Sequence, residues 1–334
     1  MRPRLGFLGT GWIGRHRMQA IAEAGVAEIV ALADPDEACA AAALAVAPQA
    51  HRVADLEALL ALGLDGLVIA TPSALHAAQS IRALQAGLAV FCQKPLGRSA
   101  AEVRAVVQAA RAADRLLAVD LSYRATEAMQ RIRALVQGGV LGRVQAIDLT
   151  FHNAYGPDKP WFRDRAQSGG GCVMDLGVHL VDLALWTLDF PEVAEVSADL
   201  FAGGEKLAPG AAAVEDLALA TLRLANGTVV RLACSWWLHA GQDAVIEAAF
   251  HGRDGAAMLR NIAGSFYDFE ATHCRGTARD VLCAPPDAWG GRAAVAWAGQ
   301  LAAANRFDPA ALHFIDVAAV LDRIHGGVPA AIRG

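Results

Sequence analysis

Residues 4–17 read Arg4-Leu-Gly-Phe-Leu-Gly-Thr-Gly-Trp-Ile-Gly-Arg-His-Arg17. A short apolar run passes through a glycine-rich turn into a helical stretch. Gly9, Gly11 and Gly14, with Trp12 and Ile13 between them, fit the pattern G-x-G-x-x-G. After a strand and before a helix, that spacing predicts a cradle for a dinucleotide. Gly9 permits the tight turn, Gly11 lets the backbone approach a pyrophosphate, and Gly14 lets helix and strand pack closely. The helix start adds N–H groups and a positive dipole. Asp34 closes the second apolar run, 25 residues after Gly9, near the place of an acid that bonds a ribose 2′-hydroxyl. No Lys or Arg lies between residues 34 and 43, so a 2′-phosphate meets an anion and no local cation; NAD is expected and NADP disfavoured. The other reading of Asp34 is a cap for the next helix, with Pro35 at its first position. Arg15-His16-Arg17 reads as the solvated face of the first helix.

Outward from this stretch the alternation continues. Strands are expected at Glu28–Ala33, Gly66–Ala70, Leu88–Phe91 and Leu116–Leu121, with helices near 12–24, 35–47, 73–86 and 99–113. Strands as apolar as Gly66-Leu-Val-Ile-Ala70 belong to a parallel sheet covered on both faces. Residues 1–122 are therefore expected to form a doubly wound α/β Rossmann domain that binds a dinucleotide. After about 122 the rhythm changes. A helix near 125–137 ends at Gly138-Gly139, a long strand follows at 143–153, and a helix is expected over 172–187. Residues 215–238 read as two strands joined at Asn226-Gly227, a hairpin signal, and further strands are expected at 192–201, 244–250 and 256–260. Residues 123–334 are thus expected to form an α+β domain for substrate binding and oligomerisation, with a large open, mostly antiparallel sheet. A last amphipathic helix near 308–325 is free to pack back on the first domain.

Composition narrows the class. The chain has 334 residues and a net charge of −5 from 29 basic and 34 acidic side chains. A nucleic-acid binder needs a basic face, which that balance disfavours. Hydrophobic residues make up 55% and charged ones 19%, too apolar for a disordered chain. The purest apolar stretch, Ala38–Ala47, is half the length of a membrane span. Arg2 and Arg4 precede an apolar run, but glycines interrupt it and no cleavage site follows. Six cysteines without a C-x-x-C suggest buried thiols in a reducing compartment. A soluble cytoplasmic protein is expected.

Three motifs suggest chemistry. Thr71-Pro72 ends a strand, with His76 five residues after Thr71; Lys94-Pro95 follows the next, in Phe91-Cys-Gln-Lys-Pro95; and Gly169-Gly-Gly-Cys-Val-Met-Asp175-Leu-Gly-Val-His179 opens the helix of the second domain. Ligands of doubly wound sheets sit beyond the carboxyl ends of the strands, where Thr71 and Lys94 fall. Asp175 and His179, four residues apart, share one helix face. The glycines before them let the helix start approach another group closely.

Together these motifs resemble the Gfo/Idh/MocA family of NAD(P)-dependent oxidoreductases. The resemblance covers most of the chain: the glycine fingerprint, T-P-x-x-x-H, a version of E-K-P, and G-G-G-x-x-x-D-x-G-x-H. It implies that Lys94 is the active-site lysine, that the Lys94–Pro95 bond is cis, and that Asp175 and His179 are the acid and histidine of the substrate site. It also implies a sugar, cyclitol or sugar derivative as substrate, oxidised at a secondary alcohol. The chain departs from the family at Gln93, where Glu is usual; Gln keeps the size and hydrogen bonding but drops a charge.

Softer candidates for substrate binding are Tyr123 and Arg124 at the domain junction, Asn153 and Tyr155 after a strand, and Trp161 in the following loop. Trp236-Trp237 reads as packing, with only one of the two able to face a pocket. A metal at Asp175, His179 and Asp182 is disfavoured because no further His/Cys cluster completes it. Two rival functions remain: an NAD-recycling glycosidase of the same superfamily, and a non-catalytic nucleotide-binding regulator. The open sheet face must be covered, so a homodimer or homotetramer through it is expected.

Overall fold

The computed structural model describes residues 2–208 and 210–326. Up to residue 122 the elements are β1 (Arg4–Leu8), α1 (Trp12–Ala24), β2 (Glu28–Ala33), α2 (Glu37–Val46), β3 (His51–Arg52), α3 (Leu56–Leu60), β4 (Gly66–Ile69), α4 (Ser73–Gln85), β5 (Ala89–Cys92), α5 (Ala100–Ala113) and β6 (Leu117–Val119). The six strands run parallel in the order β3-β2-β1-β4-β5-β6. This is the doubly wound arrangement, with its switch point between β1 and β4. Leu5, Phe7, Leu32, Val68 and Phe91 from the strands pack with Met18 and Ile21 of α1 in one core cluster. Local chemistry sets the helix ends. Ser99 caps α5 through the N–H of Glu102, and Gly25, at φ 61°, stops α1. β3 and α3 were not expected; a strand of two residues carries no readable period.

The second unit begins at Tyr123. Its elements are α6 (Glu127–Gln137), β7 (Val144–Asn153), α7 (Arg165–Ser168), α8 (Val178–Thr187), β8 (Val193–Ala202), β9 (Glu205–Lys206), β10 (Leu217–Leu224), β11 (Val229–Ser235), β12 (Ala244–Gly252), β13 (Ala256–Asn261), β14 (Phe269–Arg275) and β15 (Ala278–Cys283). They build a nine-stranded sheet in the order β15-β14-β13-β12-β7-β11-β10-β8-β9. Every neighbouring pair is antiparallel except β7–β11, which is parallel. The period of two is plain: Ala218, Ala220, Leu222 and Leu224 of β10 are buried, while Leu219 and Arg223 between them are exposed. On the buried face, α8 packs on β7 and β11, and α6 on β13 and β14.

The chain then returns to the first unit, which includes residues 288–315. These carry α9 (Arg292–Ala303), whose Trp297 and Leu301 close over Gly66 of β4. A Cβ on Gly66 would lie 2.8 Å from Leu301 and 2.9 Å from Trp297. The sequence reading placed this segment in the second domain and missed the helix. Its stripe of Ala294, Trp297, Ala298 and Leu301 has helical spacing but nothing that names the sheet it covers. The last helix, α10 (His313–Ile324), follows a 3₁₀ turn at Pro309–Leu312 and from Asp316 on lies with the second unit, so it is α9 that packs back on the first. No helix among the described residues is long and apolar enough to cross a membrane.

Candidate active site

Between β1 and α1 the chain turns at Gly9, with φ at 83°. A Cβ there would lie 2.6 Å from the Ala70 carbonyl oxygen, and one on Gly14 only 2.3 Å from that of Gly9. Both positions reject a side chain. At Gly11, by contrast, nothing lies within 4 Å, and no side chain caps the start of α1. The helix therefore offers its first N–H groups to open space, the arrangement that receives a phosphate. Trp12 is exposed and stacks on His16 with centroids 5.7 Å apart, and Ile13 is half-buried.

Asp34 pins this turn to the end of β2. Its Oδ2 accepts from the Thr10 N–H at 2.5 Å and the Thr10 hydroxyl at 3.1 Å, and its Oδ1 accepts from the Asp36 N–H at 2.9 Å. The cap of α2 is Asp36, which accepts from the Cys39 N–H. A cation does reach this corner: Arg52 of β3 donates to the Asp34 carbonyl at 3.2 Å and pairs with Glu37 at 2.7 Å. The local sequence hides it because parallel pairing of β2 with β3 delivers it from 18 residues away. The glycine turn, the open approach at Gly11 and the acid at the strand end fit a dinucleotide.

Thr71 and Lys94 follow β4 and β5. The Thr71 hydroxyl donates to Gln79 at 2.6 Å, and Pro72 stands at the start of α4 without a side-chain cap bond. His76 is 2% exposed, with Nδ1 2.7 Å from the Pro95 carbonyl and Nε2 2.6 Å from that of Thr71. Burial holds its proton affinity below the ordinary histidine value, and the charge of Lys94 acts in the same direction. The His76 ring stands between the loop after β4 and the cis Lys94–Pro95 turn, each nitrogen facing a carbonyl; the neutral ring donates to one of them, and the two carbonyls favour the protonated ring against the burial that opposes it. Beside this turn, Gln93 donates to Asp120 Oδ2, and Arg17 Nε donates to the same oxygen at 2.6 Å. Arg17 is buried, so it does not lie on the solvated face expected for Arg15-His16-Arg17. Its counter-ion is 103 residues away in sequence, beyond the reach of any local pattern.

In the second unit the glycines of Gly169–Gly171 approach Glu215, a buried carboxylate. Its Oε1 accepts from Gly171 N–H at 2.7 Å and Val173 N–H at 3.1 Å, and His325 Nε2 lies 3.1 Å away. A Cβ on Gly171 would stand 1.8 Å from the Glu215 carbonyl oxygen. The close approach foreseen for these glycines is therefore to Glu215, which sequence reasoning missed. The expected uniform helix over 172–187 opens instead with a π turn, Val173–Gly177, in which the Val178 N–H reaches back to the Val173 carbonyl. Such turns recur at functional sites.

Asp175 lies in that π turn and accepts from Trp236 Nε1 at 3.0 Å. His179, in the first turn of α8 and buried, sits edge-on to Tyr123 with ring centroids 4.7 Å apart, and 6.3 Å from Phe151. Burial pushes the Tyr123 phenol well above its ordinary value. Asn153 ends β7, and its Oδ1 is buried with no hydrogen-bond partner among the described residues. Because β7 and β11 are parallel, with His152 beside Ser235, Asn153 and Trp236 follow the same ends of the two strands.

The remaining candidates are engaged elsewhere. Arg124 forks onto Asp182, which is 1% exposed, and lies over the rings of Trp186 and Phe190. Tyr155 is exposed and donates to Asp243, while Trp161 stacks on Phe162 at 3.9 Å. Of the two tryptophans, Trp236 is buried and Trp237 exposed.

Comparison with known proteins agrees with this geometry. Residues 4–121 match the model of an oxidoreductase family with an NAD-binding Rossmann fold, and residues 129–258 match the GFO/IDH/MocA C-terminal domain. The chain is 30% identical to the inositol 2-dehydrogenase of Rhizobium meliloti strain 1021 over 262 residues, 78% of this chain and 76% of that protein. It is 29% identical to the D-glucoside 3-dehydrogenase of Escherichia coli strain K12 over 211 residues, spanning 60% of each. Its fold is that of a levoglucosan dehydrogenase solved with NADH and levoglucosan, with a TM-score of 0.83 at 20% identity over 97% of this chain and 96% of that one. The chain belongs to the Gfo/Idh/MocA family and is an oxidoreductase built on an NAD-binding Rossmann domain.

Proposed function

We propose that the protein is an NAD-dependent dehydrogenase that oxidises a secondary alcohol of a sugar, cyclitol or sugar derivative. The observation that carries this reading is the group at the shared ends of β7 and β11: Asp175 held by Trp236, the buried His179, and the Oδ1 of Asn153, buried with no hydrogen-bond partner among the described residues. A buried polar atom without a partner is costly, and a polyhydroxylated ligand would satisfy it. The relatives named for inositol, glucoside and levoglucosan support the substrate class.

NAD, when bound, supplies the hydride acceptor. The chain has to hold the alcohol and remove its proton. His179 is assigned as general base for the hydroxyl proton, since an imidazole suits that task near neutral pH. Asp175 orients and electrostatically supports it. Lys94 donates to the reacting oxygen and stabilises negative charge as it develops there. Gly9, Gly11, Gly14 and Asp34 hold the dinucleotide, with Thr71, Pro72 and His76 shaping the loop beside it. Tyr123 and Asn153 shape the substrate pocket.

The first unit is thus assigned to the cofactor, and the second to substrate and self-association. The outer face of the nine-stranded sheet carries a groove of about 460 Å³ lined by residues including Thr150, Asp199, Leu219, Thr221 and Arg231. A second copy of the chain is the expected cover, which light scattering after size exclusion would read as a dimer or tetramer. The decisive experiment for activity is a screen for NAD reduction over sugars, cyclitols and sugar acids. NADH accumulating with the oxidised product supports the reading. Substrate turnover without net NADH would make the protein an NAD-recycling glycosidase, and NAD binding without any turnover would make it a regulator.

A further inference from the structure

Lys94 is fixed through both of its chain neighbours. On one side the Pro95 carbonyl lies 2.7 Å from His76 Nδ1. On the other, the Gln93 N–H continues the sheet by donating to the Ile69 carbonyl at 2.9 Å, and the Gln93 amide donates to Asp120 Oδ2. Asp120 is itself fixed, its N–H donating to the Cys92 carbonyl at 2.8 Å and its Oδ2 accepting from Arg17 Nε at 2.6 Å. Arg17, Gln93 and Asp120 are 4%, 6% and 1% exposed. The second carboxylate oxygen, Oδ1, is buried with no hydrogen-bond partner among the described residues. A buried, half-satisfied carboxylate is costly to keep, and its role as counter-ion of Arg17 accounts for one of its two oxygens only.

The sequence supplies a reason. The motif E-K-P places an acid next to the lysine, and this chain has Gln93 there. An acid at residue 93 would stand within hydrogen-bond reach of Asp120, and two buried carboxylates so close cannot both ionise readily. We propose that Asp120 is the positioning residue that supplies the negative charge behind Lys94, in place of the acid that the motif has at residue 93. Arg17 and Gln93 hold that carboxylate, and through the Gln93 backbone the cluster presents Lys94 in one orientation. The proposal rests on the reading of Lys94 as the group that bonds the substrate oxygen.

Exchanging the pair tests it. Gln93→Glu crowds two acids together, and Asp120→Asn leaves Arg17 without its counter-ion. The double variant Gln93→Glu/Asp120→Asn restores one acid and one amide in reversed order. With myo-inositol or methyl β-D-glucoside as substrate, whichever is turned over, each single variant should lower kcat about 30–100-fold with KM changed by less than about threefold. The double variant should recover to within about fivefold of the original kcat. A second readout needs no substrate: the rate at which acetic anhydride labels Lys94, measured by mass spectrometry against the exposed Lys159 and Lys206. That ratio should shift in each single variant and return in the double.

A double variant no better than the product of its singles overturns the proposal, and so does Asp120→Asn with unchanged kcat and unchanged labelling. If one single variant fails to fold, the Lys94 labelling ratio in the other single and in the double decides: a ratio that does not shift in the folded single overturns the proposal. Lys94→Met, run alongside, separates the two levels. Unchanged kcat in Lys94→Met would remove the role of the lysine itself. Lost activity there, with additive effects at 93 and 120, would remove only the assignment to Asp120.

Discussion

Trp236 and Asp175 lie 61 residues apart in the chain, and the indole Nε1 donates to Asp175 Oδ2 at 3.0 Å. The donor is buried at the end of β11 and the acceptor sits in the π turn before α8, so a strand end fixes a carboxylate on a helix. Trp236→Phe keeps a ring and removes the N–H. A hydrogen bond to a charged group contributes about 1.5–3 kcal/mol, so kcat should fall at least about tenfold. NAD affinity, read by fluorescence titration, should stay within about threefold. An unchanged kcat would show that Asp175 needs no such anchor.

Cofactor choice should follow the charges around Asp34. NAD is expected to exceed NADP in kcat/KM by about tenfold or more, because a 2′-phosphate meets the Asp34 carboxylate. Arg52 is nearby but is paired with Glu37. Asp34→Ala should narrow the ratio, and adding Glu37→Gln, which releases Arg52, should narrow it further. Steady-state kinetics with both cofactors measure this. A protein that prefers NADP from the outset contradicts the argument.

Lys94 and His179 should separate chemistry from folding. Lys94→Met and His179→Gln are each expected to lower kcat by about 10²-fold or more. Neither should shift Tm by more than about 5 °C or abolish NAD binding. A variant with near-normal kcat moves the role to another residue.

His76 predicts a pH effect on stability. Burial, opposed by the Pro95 and Thr71 carbonyls and aided by Lys94, leaves its proton affinity lowered in the folded chain, whereas the unfolded chain keeps the ordinary value near 6.5. Below about pH 6.5 the unfolded state therefore binds a proton that the native state does not. Stability rises with pH through that window and is lost as pH falls, by up to ~1.4 kcal/mol per pH unit for one such group. Between about pH 7.5 and 5, Tm should drop less steeply in His76→Gln than in the original protein. Parallel profiles would mean that His76 does not carry the effect.

Features encoded in consecutive residues were legible in the sequence. The glycine turn at Gly9–Gly14 and the hairpin at Asn226-Gly227 each place their signal within a few residues, and the sheets followed from them. Features that join distant residues were not. Arg17 looked like a surface charge because Asp120 comes from the far end of the same unit. Trp236 looked like packing because its indole N–H has no signature in sequence. The stripe of α9 was regular but could not name its sheet, and Glu215 gave no hint that two backbone N–H groups converge on it. Lys94, Asp175 and His179 could be picked out only because their motifs occur together in one chain.

The π turn at Val173–Gly177 makes the spacing of Asp175 and His179 a matter of counting as well as identity. A π turn holds one residue more than the α turn it replaces. Deleting one residue between Asp175 and His179 would let the helix close as an ordinary α-helix and leave the pair three residues apart, still on one face, but it would shift Asp175 along and around the axis relative to Trp236, which holds it. Every side chain of the site would still be present, and the acid would lose the place at which Trp236 meets it. In this stretch an insertion or deletion is therefore more damaging than most substitutions, and chain length acts there as a functional residue would.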